Sequence, residues 1–84
     1  MMVRDTILSQ IKRVASEQEK TLAPLRDETV LMETGLDSLC FAILVARLED
    51  TLGVDPFSDS EIAHQPVTVG DLIALYKTAV EQAA

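Results

Sequence analysis

Residues 35–53 of the chain read GLDSLCFAILVARLEDTLG, and this stretch decides the fold. The apolar residues between Ser38 and Leu52 recur at helical spacing, and Gly53 is a residue type that commonly ends a helix. We therefore predict a helix over residues 38–52. On a wheel of about 100° per residue, one apolar stripe of this helix is expected to face the core: Phe41, Leu44, Val45, Leu48 and Leu52.

The same helix carries a second apolar stripe, although a helix in a small bundle needs only one apolar face. The second stripe shares its side with Ser38, Glu49 and Asp50. A covering loop or a protein partner would each remove it from water, and the two carboxylates favour a partner because they resist burial. The stripe consists of Leu39, Ala42, Ile43 and Ala46.

Three further helices are predicted outside this stretch. Apolar residues at helical spacing indicate a first helix over about residues 2–19. The sequence Ser-Asp-Ser-Glu at residues 58–61 has the form of a capping box and predicts a short helix over about residues 58–63. A weaker cap, Thr-Val-Gly-Asp at residues 68–71, opens a last helix over about residues 68–81.

The segment over residues 22–37 shows no sustained period, and Pro24 and Gly35 interrupt it. We expect a long loop here, and a loop of this length in a small domain tends to be functional. The 84 residues include few glycines, prolines and aromatic residues, which disfavours a sandwich or barrel. The fold class predicted is all-α, a single domain over residues 1–84 that forms an irregular four-helix bundle with a short third helix.

The charge of the chain is one-signed and unevenly distributed. It has 7 basic and 14 acidic residues and a net charge of −7. Residues 1–28 are neutral overall, so the whole net charge lies in residues 29–84. Nucleic acid and anionic membrane surfaces require a basic face, and neither is expected as a partner. A basic protein partner and plain solubility both explain the acidic part.

Disulfide, metal and membrane classes are disfavoured. Cys40 is the single cysteine and His64 the single histidine, so no internal disulfide is possible and a zinc site is not expected. We expect a half-buried packing role for Cys40 and a surface position for His64. No apolar run reaches the length of a membrane span, and the first residues are not those of a signal peptide. A cytoplasmic monomer is predicted.

Ser38 stands at the predicted start of the second helix, where serine usually serves as the N-cap. Asp37 is an equally good cap. If Asp37 caps, Ser38 falls at the first helical position and its hydroxyl points to solvent. A phosphate ester on that oxygen would lie beside free N–H groups at the positive end of the helix, which favours an anion. Both roles of Ser38 are open on these grounds.

Two motifs resemble a known family. Residues 33–39, ETGLDSL, open the apolar helix, and residues 48–54, LEDTLGV, end it. Together they resemble the phosphopantetheine attachment region of acyl carrier proteins and peptidyl carrier domains. The resemblance extends over residues 22–80 and includes the Thr-Val-Gly-Asp-Leu opening of the last helix.

The resemblance implies an acyl carrier protein and not an enzyme. A phosphopantetheinyl transferase would use Mg²⁺ and coenzyme A to attach 4′-phosphopantetheine to the Ser38 hydroxyl. The terminal thiol of that arm would then carry a substrate as a thioester. Asp37 matches the acidic residue of the motif and is expected to cap the helix and organise the region of the phosphate.

The resemblance also implies a partner-binding face. Leu39, Ala42 and Ala46 match positions that touch partner enzymes, and Ile43 belongs to the same stripe. Acidic positions that meet basic patches are matched by Glu49 and Asp50. The partners implied are acyl- or aminoacyl-activating ligases and downstream synthases or transferases.

Two departures from the fatty-acid type of carrier bear on the cargo. Such carriers often place carboxylates two and five residues after the serine, where this chain has Cys40 and Ile43. This favours aminoacyl, peptidyl or polyketide cargo, with the chain acting in trans, although the residues do not identify the cargo itself. The rival interpretation is an unmodified helical module that binds protein through the second stripe. A serine hydrolase is disfavoured because no G-x-S-x-G motif surrounds Ser38.

Overall fold

The structure, a computed structural model, describes residues 2–56 and 66–83. Within these residues the fold is all-α, as predicted, and no strand is formed. The three α-helices are α1 (Val3–Glu17), α2 (Ser38–Leu52) and α3 (Val69–Ala83). The predicted short helix over residues 58–63 lies outside the described residues.

The observed bounds of the helices are close to the predicted ones. α2 begins and ends where the sequence predicts, because Asp37 caps its first turn and Gly53, with φ +73°, ends it in the left-handed conformation. α1 ends at Glu17 and not at residue 19. α3 begins at Val69 and continues to Ala83, beyond the predicted end at residue 81.

The early end of α1 has a backbone cause. Glu19 has φ +58°, which takes the chain out of the right-handed helix. The Glu19 N–H donates to the Ser16 carbonyl at 3.2 Å, and the Lys20 N–H donates to the Ala15 carbonyl at 2.8 Å. These are the two hydrogen bonds of a Schellman motif, which usually has glycine at the left-handed position. The motif turns the chain away from α1.

The segment between α1 and α2 is held to the rest of the molecule by backbone hydrogen bonds. A 3-10 turn, Leu31–Glu33, lies in its second half. The Ala23 N–H donates to the Thr34 carbonyl at 2.9 Å, and the Leu31 N–H donates to the Val67 carbonyl at 2.8 Å. Buried side chains of Leu31 and Leu36 anchor the segment to the core. These contacts fix the path of the connecting segment up to the start of α2.

The core lies between the three helices, and α1 packs against both α2 and α3. Each helix contributes a stripe of buried residues at helical spacing. None of the three described helices is long and apolar enough to cross a membrane. The largest fully buried side chains are Ile7, Ile11, Val14, Leu44, Leu48, Val69, Leu72 and Tyr76.

Candidate functional site

The start of α2 places Asp37 and Ser38 in different roles. Asp37 is the N-cap residue, and its Oδ1 accepts a hydrogen bond from the Cys40 N–H at 2.8 Å. Ser38 is the first residue of the helix and is exposed. Its hydroxyl makes no hydrogen bond with any described residue. Since the carboxylate serves as the cap, the hydroxyl is free to react.

The second oxygen of the Asp37 carboxylate faces a cation. Lys20 Nζ lies 3.1 Å from Asp37 Oδ2, and both side chains are partly exposed. The hydrogen bond from the Cys40 N–H, followed by contributions from the Cys40 side chain and from Lys20, holds the pKa of Asp37 well below its usual range. The same contact raises the pKa of Lys20. At neutral pH the site therefore contains a negatively charged carboxylate and a positively charged ammonium group near the Ser38 hydroxyl.

Gly35 shapes the approach to this site. Its φ of +105° is a conformation that residues with a side chain rarely adopt, and a Cβ there would collide with the carbonyl of Thr21. The next residue, Leu36, is buried in the core. Gly35 thus lets the two parts of the connecting segment lie against each other immediately before Asp37.

One side of α2 is open to solvent. Leu39 is 62% exposed. Four further residues that were predicted to form the partner-binding face are also exposed: Ala42, Ala46, Glu49 and Asp50. The exposed face is therefore apolar near Ser38 and acidic near the end of the helix.

Three expectations about α2 need correction. Cys40, expected to be half-buried, is 1% exposed and belongs to the core with Leu44 and Leu48. Ile43, placed by the sequence on the open stripe, is partly buried and packs against the core. The reason is that the buried face is centred on Leu44, so Ile43, about 100° away on the helical wheel, lies at its flank. Phe41, Val45 and Leu52, predicted to be core residues, are only partly buried.

The sequence did not indicate the cationic partner of Asp37. Lys20 lies at the other end of the connecting segment, and no local pattern links the two residues. A further ion pair, between α1 and α2, was also not predicted, because its two residues are far apart in the sequence. Arg47 of α2 binds Glu17 of α1 through both guanidinium nitrogens, with Nη1–Oε2 at 2.7 Å and Nη2–Oε1 at 2.5 Å.

Other kinds of site have no support in the described part of the chain. No group of three or more histidine, cysteine, aspartate or glutamate side chains in residues 2–56 and 66–83 is placed to hold a metal ion. His64, which was expected at the surface, lies outside these residues.

The fold and this site define a small helical domain that presents a free hydroxyl beside an acidic cap. The sequence model of the PP-binding family, described as phosphopantetheine attachment site, matches residues 5–78, and the chain belongs to this family. The domain is a carrier and is not itself catalytic, and its prosthetic group is covalently attached 4′-phosphopantetheine. Searches of curated proteins and of solved structures each gave no match to the chain.

Proposed function

We propose that this phosphopantetheine carrier protein holds its substrate as a thioester on an arm attached to Ser38. The observation that carries the proposal is the free, exposed hydroxyl at the first position of α2. The residues around it fit the group. An exposed hydroxyl is available for a phosphate ester, and the N-terminal turn of a helix together with the Lys20 ammonium favours an anion.

Attachment makes limited demands on the chain itself. The Ser38 hydroxyl gives up its proton and forms the ester bond to phosphorus, while coenzyme A loses its nucleotide part as adenosine 3′,5′-bisphosphate. Asp37 keeps the helix start in place, because its hydrogen bond to the Cys40 N–H does not involve Ser38. The arm, when attached, supplies a terminal thiol for the substrate.

The open side of α2 is the proposed docking face for partner enzymes. A phosphopantetheinyl transferase, an acyl- or aminoacyl-activating ligase and downstream synthases would each bind it in turn and in trans. The exposed apolar residues Leu39, Ala42 and Ala46 supply contact area, with Ile43 at the flank. Glu49 and Asp50 at the end of the helix would steer a basic patch of the partner to this face.

The cargo proposed is aminoacyl, peptidyl or polyketide in type. The fatty-acid type of carrier often has carboxylates at the positions of Cys40 and Ile43. Here Cys40 is buried and Ile43 packs against the core, so neither position offers a carboxylate to a partner. The four-helix arrangement, with a short helix over residues 58–63, and the cytoplasmic location stay predictions from the sequence.

Loading in vitro tests the attachment. The purified chain is incubated with coenzyme A, Mg²⁺ and a broad-specificity phosphopantetheinyl transferase, and its intact mass is measured. We expect a gain of one phosphopantetheine unit in the wild type and none in Ser38→Ala. Ser16→Ala, which removes another exposed serine, is the matched control and is expected to gain the unit.

The rival interpretation as an unmodified interaction module predicts the opposite outcome. A wild-type chain that gains no mass, under conditions that fully load a control carrier, would overturn the proposed attachment. Retention of the mass gain in Ser38→Ala would place the arm on another residue.

A further inference from the structure

A cation contacts Asp37, the residue that directly precedes the one proposed to carry the arm. Lys20 Nζ is 3.1 Å from Asp37 Oδ2, while Asp37 Oδ1 accepts from the Cys40 N–H. Ser38 directly follows Asp37 in the chain. The ion pair joins the first part of the connecting segment, just after α1, to the N-cap residue of α2.

The backbone holds Lys20 in this position from both sides. Before it, the Lys20 N–H donates to the Ala15 carbonyl at 2.8 Å. After it, the Thr21 carbonyl lies so close to Gly35 that a Cβ there would collide with it. The backbone of Lys20 is therefore held in place by contacts that do not involve Asp37.

Attachment of the arm would add a negative charge at this point. The phosphate becomes a diester with one negative charge, bonded to the residue that follows Asp37. The hydrogen bond from the Cys40 N–H and the contact with Lys20 lower the pKa of Asp37, which favours the charged form of its carboxylate. Two anions would then lie beside one cation, and a shared cation offsets the repulsion between them.

We propose that the Lys20 ammonium binds both the phosphodiester of the attached arm and the Asp37 carboxylate, and so holds the base of the arm at the start of α2. This inference rests on the proposed attachment at Ser38. It makes Lys20 a positioning residue for the arm, and its contribution to stability is larger after attachment than before.

A comparison of unmodified and loaded forms separates this role from a purely structural one. Wild type, Lys20→Met and Lys12→Met are each prepared in both forms, with loading checked by intact mass, and unfolded in urea. Lys12 is an exposed lysine of α1 and serves as the matched control. For each variant, the folding equilibrium constant of the loaded form is divided by that of the unmodified form. This ratio should be smaller for Lys20→Met than for the wild type by a factor of about 2 to 5. Lys12→Met should follow the wild type.

The charge-conserving variant sharpens the comparison. Lys20→Arg keeps a cation at this position and should restore the wild-type response to loading. An identical effect of loading on wild type and Lys20→Met would overturn the proposal, even if Lys20→Met is less stable in both forms, because a structural ion pair does not depend on the arm.

A second measurement needs no substitution. The ¹⁵N resonance of the Lys20 ammonium is followed by NMR before and after loading of the wild type. We expect it to shift on loading, and by more than that of Lys12. An unchanged Lys20 resonance in a chain that has gained the mass would overturn the proposal. A chain that gains no mass would instead refute the attachment itself, so the two failures are distinguishable.

Discussion

The starts of α2 and α3 use similar residues in different ways. At α3, the Thr68 hydroxyl oxygen accepts from the Asp71 N–H at 3.0 Å, and the Asp71 carboxylate accepts from the Thr68 N–H at 3.1 Å. At α2, Asp37 alone caps the helix, and the Ser38 hydroxyl makes no hydrogen bond with any described residue. A reciprocal cap occupies its hydroxyl, whereas a carboxylate cap leaves the next hydroxyl free for chemistry.

The largest loss of stability is expected from a substitution at Gly35, just before α2. Gly35→Ala should lower the free energy of unfolding by roughly 2–3 kcal/mol, because the new Cβ would meet the Thr21 carbonyl in a strained conformation. Urea denaturation measures the loss. Gly53→Ala is the control, since its φ is +73° but nothing lies within 4 Å of the added atom, and it should cost about 1 kcal/mol. Equal losses would show that the close approach at Gly35 does not matter.

The exposed faces of α2 and α3 should differ in their effect on loading. Replacement of both Glu49 and Asp50 by lysine is expected to slow loading by a basic transferase about tenfold at low salt. The difference should shrink as the ionic strength rises. Glu81→Lys, an exposed charge reversal on α3, should load at the wild-type rate. Equal loading rates for the wild type and the Glu49 and Asp50 variant at every salt concentration would refute electrostatic docking at the end of α2.

The two helix starts should respond differently to alanine substitution. Thr68→Ala removes a hydroxyl that accepts a backbone hydrogen bond and should lower Tm by about 5 °C. Asp37→Ala should do the same at α2, while Ser38→Ala should leave Tm nearly unchanged. Thermal unfolding followed by circular dichroism measures all three. If Ser38→Ala proves more destabilising than Asp37→Ala, the cap is misassigned.

A smaller difference is expected in acid. Backbone N–H donors lower the pKa of Asp37, chiefly Cys40, and that of Asp71, chiefly Thr68. A carboxyl whose folded pKa lies below its unfolded value of 3.8 stabilises the fold above that pH, and this contribution is lost as the pH falls through the folded pKa. The urea concentration at the midpoint of unfolding should therefore decrease as the pH is lowered from about 5.

The shift is larger at Asp37 than at Asp71, so the contribution of Asp37 should persist to lower pH. Wild type and Asp37→Asn should differ at pH 6 and converge only at a lower pH than wild type and Asp71→Asn. A difference between wild type and Asp37→Asn that is constant at every pH would mean that the carboxylate charge at α2 contributes nothing.

Local signals explain part of what the sequence could predict. The bounds of α2 follow from its apolar spacing and from Gly53, and this prediction was right. The residues alone left Asp37 and Ser38 as equally good caps, and the expectation that Asp37 is the cap came from the family resemblance; the structure has Asp37 as the cap. The sequence predicted less well which residues of α2 face the core. Because this helix is apolar on most sides, the pattern did not reveal that Cys40 belongs to the core or that Ile43 lies at its flank.

Contacts between distant residues could not be predicted. The pairs Lys20–Asp37 and Arg47–Glu17 each join residues on either side of the aperiodic connecting segment or at its ends, and no local sequence pattern brings them together. The early end of α1 depends on Glu19, whose left-handed conformation is more typical of glycine. No residue type in the sequence signalled that turn, and without it the place of Lys20 beside Asp37 could not be foreseen.

Mapping the position of the arm tests whether Ser38 is the attachment residue. The loaded wild type is digested with a protease, and the peptides are fragmented in a mass spectrometer to locate the added phosphopantetheine. We predict that the added mass lies on Ser38 and on no other residue. An arm on Ser9 or Ser16, or an unmodified Ser38 in a sample where a control carrier is fully loaded, would contradict the assignment of the free hydroxyl at α2 as the attachment site.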